Sequence, residues 1–327
     1  MVTAEQLEQK YIELKEELAS LSPDILRRFP MSDYPNDLES SRRREILLCF
    51  RRGRSQKHVF EEAVSQYGDQ AVQLYFKLVL CCFMSDSLER LSQESLPGEI
   101  VDLCHKWFEA VLRELSTRPN HFYDYRSVEL AQDMRTCSLT EMPVGGAWVV
   151  EARRVSLKPL VKGGIGQSLT FLAFMTFKCG GYAPYYMFHA ARRYLRHFNE
   201  KQMNLAYLRM AEMMTLNRDI KGLHTRGWLL DPQLEEISPD LAYLRQVPQQ
   251  NGAKLFAGGV EDSDVKNALR LSPKRQQLHK QGKYAPTTYA LIWPREEFLS
   301  WAEKTNASPE HVISKDTTRR DGQKVAS

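Results

Sequence analysis

The chain has six cysteines (Cys49, Cys81, Cys82, Cys104, Cys137 and Cys179), but none stands in a CxxC pair, and there is no HExxH. A structural zinc site is therefore not expected. Several of the thiols lie inside apolar helical runs, where cysteine packs as a small hydrophobe, and a reducing cytosol is the expected compartment. An apolar leader is missing too: the first residues, MVTAEQLEQKYIELKEELASL, are charged, which excludes a signal peptide. No uninterrupted apolar run reaches the roughly 20 residues of a bilayer span, so the chain reads as cytoplasmic without a membrane span. Charge of one sign is also scarce. Forty-five Lys and Arg against 41 Asp and Glu leave +4 over 327 residues, so the total suggests neither a strongly basic nucleic-acid binder nor an acidic protein. With 43% hydrophobic and 26% charged residues, the chain can bury a core. It has no internal repeat.

Leu7, Tyr11, Leu14, Leu18 and Leu21 recur at three- and four-residue steps and predict a helix over 4–21. A second helix is expected over 58–83, where QAVQLYFKLVLCCF is apolar nearly all round and so buried. A third is expected over 99–115. Beyond Pro119 the signal changes. HFYDYRSVEL and GAWVVEARRVSL carry the aromatic and β-branched residues of strands, as do YYMFHA, KLFAGG and TTYALIW. Helices are expected over 191–198 and 203–216, after an N-cap at Asp262-Ser263-Asp264, and over PREEFLSWAEK with its proline in the first turn. The fold class is α+β. A helical region over 1–120 precedes a mixed sheet domain over 121–312, and a polar tail, 313–327, is expected to be disordered.

The segment Val161-Lys162-Gly163-Gly164-Ile165-Gly166-Gln167-Ser168 opens an apolar helix, a pattern that can cradle phosphate. It differs from a nucleotide P-loop at Gln167, where the phosphate-reaching lysine would stand, and that loss argues against ATP or GTP hydrolysis. The wider unit EARRVSLKPLVKGGIGQSL resembles the strand and loop of the GNAT acyltransferase superfamily. There, backbone N–H groups hold the pyrophosphate of coenzyme A or the phosphopantetheine of a carrier protein. On this resemblance Lys162, Gly163, Gly164, Gly166 and Gln167 would bind the donor. Two parallel strands should part directly before Gly163, and a helix in that place would remove the acyltransferase reading altogether.

Glu151-Ala152-Arg153-Arg154 and the YAPYYMFHAARRYLRHFN that follows resemble the acyl-homoserine-lactone (autoinducer) synthases of quorum sensing, the larger LuxM type among them. The resemblance covers residues 120–200. It implies an acyltransferase with an acyl-CoA or acyl-carrier-protein thioester as donor, S-adenosylmethionine as a co-substrate and no metal. Glu151 would take the amine's proton, with Arg154 as its partner across an expected β-bulge. Arg153 shares the face of Glu151 by strand alternation and would face substrate, and the Tyr186 hydroxyl could protonate the leaving sulfur. Asp124 could hold a cationic substrate. Plainer readings stand beside these: Glu151 and Arg153 as a solvated edge, the glycines as a tight turn, Tyr186 and the histidines as packing. Two basic stretches, 42–57 and 272–284, could meet acyl carrier protein, or nucleic acid if the chain is instead a helical nucleic-acid-binding protein.

Overall fold

The computed structural model describes residues 1–28, 57–117, 123, 127–270 and 272–307. They fall into two compact units, one of residues 1–144 with 191–195, the other of 145–190 with the residues from 196 onward. The stretch 42–57 lies almost wholly outside the described residues, as do Asp124 and the tail.

The first unit is helical. α1 (Ala4–Leu21) starts at a capping box, Thr3 accepting from the Gln6 N–H while the Gln6 side chain accepts from the Thr3 N–H, and it buries Leu7, Leu14 and Leu18. α2 (Pro23–Arg28) follows. The single helix expected over 58–83 is two, α3 (Lys57–Tyr67) and α4 (Asp69–Gln93), because Gly68 takes φ +83 between them. α4 is long and apolar enough to cross a membrane, but most of it is buried inside the unit, as its all-round apolar sequence demands. α5 (Gly98–Thr117) buries Ile100, Cys104, Trp107, Phe108, Val111 and Leu115 along one stripe. Burial pushes the Cys81 and Cys104 thiols up to about 12, so both are inert as nucleophiles.

The strand expected at HFYDYRSVEL does not form where the residues are described. Ser127 accepts from the Leu130 N–H and caps α6 (Val128–Cys137), which buries Leu130, Met134 and Cys137. A cap followed by helical spacing outweighs the local β-propensity of the aromatics. Asp133 on α6 is buried, taking the Trp107 Nε1–H at 3.0 Å and Arg193 at 2.6 Å. Burial raises its carboxyl to about 6 despite the arginine. It is thus a structural acid.

The sheet has the order β1-β2-β3-β4-β6-β5, with β1 (Met142–Gly145), β2 (Trp148–Arg153), β3 (Tyr185–Ala190), β4 (Gly222–Gly227), β5 (Lys254–Gly259) and β6 (Thr288–Pro294). The chain passes from the first unit to the second within β1. The pairs β2–β3, β4–β6 and β5–β6 are antiparallel, and β3 runs parallel to β4. The helices of this unit are α7 (Lys158–Lys162), α8 (Gly164–Ala173), α9 (Glu200–Leu216), α10 (Leu234–Ile237), α11 (Tyr243–Gln250), α12 (Asp262–Arg270), α13 (Pro273–Lys280) and α14 (Arg295–Asn306). Pro294 closes β6 and caps α14 from outside rather than standing in its first turn.

Register sorts the side chains, because residues opposite one another share a face. Glu151, Met187, His224 and Ile292 form one row, and Ala152, Tyr186, Leu223 and Trp293 the next, on the other face. The first face meets α8 and a π-turn (Phe174–Lys178) through Phe171, Phe174, Met175, Phe256 and Ile292. The second packs Tyr207 of α9 and Phe298 and Trp301 of α14 around Trp293, with ring centroids 4.9–6.1 Å apart.

Candidate functional site

A helix, α7, stands directly before Gly163, so the parted strands expected there are absent; the criterion set by the sequence goes against acyl transfer at this loop, and that reading draws no support from it. It is an elbow between α7 and α8 packed on the sheet edge. The Gln167 amide accepts the Ala257 N–H at 2.8 Å and donates to the Ala257 carbonyl at 2.9 Å and the Pro159 carbonyl at 2.9 Å. Its side chain thus stands where a neighbouring strand would. Gly163 is required for this, since a Cβ there would sit 1.7 Å from the Gln167 amide nitrogen. Lys162 lies against Gly259 on β5, while Gly164, at φ +73, and Gly166 face open space. Gln167→Ala should leave the Ala257 amide and carbonyl without these partners and cost about 1–3 kcal/mol, read from denaturant unfolding. Its effect on any donor KM should be small.

The parallel pair in the sheet lies elsewhere, at β3 and β4, and its ladder is short. Their register covers Tyr186–Leu223 and Met187–His224; beyond it the Thr225 hydroxyl donates to the Phe188 carbonyl at 3.1 Å, a side chain standing in for the next rung.

Beside that point, Glu151 on β2 is buried and holds two partners. His189 Nε2 on β3 lies 2.9 Å from its Oε1, and Arg153 Nε 2.6 Å from its Oε2. Burial works against the carboxylate's charge, but the His189 hydrogen bond and the Arg153 charge outweigh it, so its pKa falls below the ordinary value. The β2–β3 register runs unbroken from Trp148 to Arg153, so the expected bulge is not there. Without it, alternation hands the pairing to Arg153, and Arg154 is exposed past the strand end. Tyr186 is placed on the other face from Glu151, with burial raising its hydroxyl to about 12.

His224, two strands from Glu151 on the same face, was not singled out by the sequence. It is buried, its ring lies 6.1 Å from that of Tyr185, and its Nε2 has no hydrogen-bond partner among the described residues. Burial, reinforced by His189 and Arg153, lowers its pKa from 6.5 to about 3. The folded state therefore keeps His224 neutral while the unfolded chain protonates it. Its contribution is fully present above pH 6.5 and is lost as pH falls from there toward about 3, at up to about 1.4 kcal/mol per pH unit. His224→Met should flatten the fall in melting temperature between neutral pH and about 5.

No protein-family model matches the sequence, and no curated protein matches it. The chain is similar in part to three solved structures. One is an acyltransferase in complex with decanoyl-CoA and teicoplanin, 12% identical at a TM-score of 0.39, over 66% of this chain and 65% of that one. Another is an acyltransferase variant in complex with octanoyl-CoA, 11% identical at 0.41, over 67% and 66%. The third is an acyltransferase in complex with CoA and 10C-teicoplanin, 12% identical at 0.40, over 66% and 65%. The chain thus spans just under two thirds of their lengths, and likeness at this level carries nothing about activity.

Of the second basic stretch, Arg275 turns inward. It donates to the Ala268 carbonyl at 2.6 Å and Ser238 Oγ at 2.9 Å, and stacks on Trp228. That leaves less of 272–284 to meet an acidic partner than its composition suggests.

Proposed function

We propose that the second unit is an acyltransferase that moves an acyl group from a coenzyme A or carrier-protein thioester to an amine. The observation that carries this reading is the Glu151–His189 pair beside the end of the short β3–β4 ladder. An amine needs a base to become a nucleophile.

With the Nε2–H donated to the Glu151 carboxylate, the His189 lone pair is left on Nδ1, and the buried charge stabilises the imidazolium that forms. His189 then takes a proton from the amine as its nitrogen bonds the thioester carbonyl carbon. The C–S bond breaks, and the thiolate leaves with a proton that the imidazolium can return. Arg153 is a positioning residue: it keeps Glu151 ionised and fixes its second oxygen. Tyr186, on the other face, has no step here.

The narrower form takes S-adenosylmethionine as the amine; once its nitrogen is acylated, its carboxylate oxygen bonds the γ-carbon, the C–S⁺ bond there breaks, and methylthioadenosine leaves from the N-acyl-homoserine lactone. Arg153 then fills the place the resemblance gives to Arg154. Two measurements separate the layers. Thiol release from acyl-CoA that rises with added amine supports acyl transfer, whereas no release and no melting-temperature shift with coenzyme A would reject it. Acylated homoserine lactones in extracts of expressing cells, read by mass spectrometry, test the narrower form alone.

A further inference from the structure

The faces of α7, α8 and the π-turn that look away from the sheet are apolar. Val161 is 80% exposed, Ile165 83% and Phe177 85%, with Leu157, Leu169 and Leu172 also exposed. On α8, Ile165, Leu169 and Leu172 stand at i, i+4 and i+7, one stripe, while Phe171, Phe174 and Met175 turn inward to the core. Between Ile165 and Phe177 the exposed positions are Gly166, Leu169, Thr170, Leu172, Ala173 and Thr176, none charged. A solvated helix puts charge on its outer face, so this segment is built inside out for water.

The segment that carries the stripe has charge of one sign, although Glu261 and Glu297 reach in from other elements. From Ala152 to Ala190 the chain carries Arg153, Arg154, Lys158, Lys162 and Lys178 and not one Asp or Glu. Lys158 and Lys178 keep most of their side chains in solvent even while pairing with Glu261 and Glu297. Lys254 sits over the Phe174 ring at 5.0 Å, at the edge of the same element. No described side chain caps the first turn of α8, so its N–H groups are open to an acceptor beside Lys162. Apolar side chains ringed by cations, next to uncapped helix amides, match the interfacial region of a bilayer, with acyl chains below and phosphates above.

We propose that this face docks on an anionic phospholipid surface, with Ile165, Leu169 and Phe177 entering the acyl boundary and Lys162 and its neighbours meeting lipid phosphates. This is independent of the acyl-transfer reading and requires no span of the bilayer.

Flotation of the full chain with phosphatidylcholine vesicles, with and without phosphatidylglycerol, tests it. The expected result is binding that needs phosphatidylglycerol, weakens as salt rises, and is not competed by glycerol phosphate. Ile165→Asp and Phe177→Asp should each lower the partition coefficient about tenfold or more, and Lys162→Glu severalfold. Because these side chains are exposed, melting temperatures should hold, separating lost docking from lost folding. Failure of the wild type to float with anionic vesicles overturns the proposal, as does equal binding by the Asp variants. A concentration-dependent dimer that Leu169→Asp abolishes, without vesicle binding, would assign the face to a second copy instead.

Discussion

His189→Ala is expected to lower the turnover of acyl transfer about 10²–10⁴-fold, the range a positioned base supplies, with little change in KM for the donor. The split follows from the placement. On the proposed mechanism Nδ1 handles the amine's proton only as the C–N bond forms, so its loss is felt in the transition state and scarcely in binding. Glu151→Gln is the diagnostic companion. It preserves size and a hydrogen-bond acceptor for Nε2 but removes the charge that stabilises the imidazolium, so turnover should fall roughly 10–100-fold. If His189→Ala retains full turnover while releasing thiol from acyl-CoA, chemistry in this unit runs through another group.

The second large effect concerns stability. Trp293→Ala should cost about 3–5 kcal/mol and lower the melting temperature by about 10 °C, because it empties the centre of one face of the sheet. Trp293 is fully buried, touches the rings of Tyr207, Phe298 and Trp301, and donates its Nε1–H to the Asn251 carbonyl at 2.8 Å. Truncation removes contacts to three rings from α9 and α14 together, which limits how far the site can collapse. Trp293→Phe should recover part of the loss, the remainder reporting the smaller volume and the unmet Asn251 carbonyl, with differential scanning calorimetry as the measurement.

Much of the framework was readable from periodicity. YYMFHA is β3, KLFAGG is β5, and TTYALIW contains nearly all of β6, each an apolar or β-branched run between breakers. The helices over 4–21 and 99–115 follow their stripes. The misreadings share one cause: the sequence displays local chemistry but not register. Glu151 stood out as a carboxylate in a strand, yet its partners could be named only once β2 and β3 were aligned. That alignment puts His189 within reach and turns Tyr186 away. His189 and His224 belong to strands that neighbour each other in space and lie 35 residues apart in the chain. The glycine loop misled for a similar reason. Glycines before an apolar helix describe a phosphate cradle and a tight elbow equally well, and the contact that decides between them, Gln167 to Ala257, spans 90 residues.

That contact also bears on whether the sheet can be extended by a second chain. β5 is an edge strand, and an unprotected edge offers its N–H and C=O groups to any extended chain that passes. Gln167 takes both groups of Ala257, and the register irregularity between Ala257 and Gly259 breaks the flat repeat just beyond. A single amide side chain, fifteen residues downstream of Ala152, thereby closes the edge against recruitment of a foreign strand, and its removal would open a template for sheet-to-sheet association.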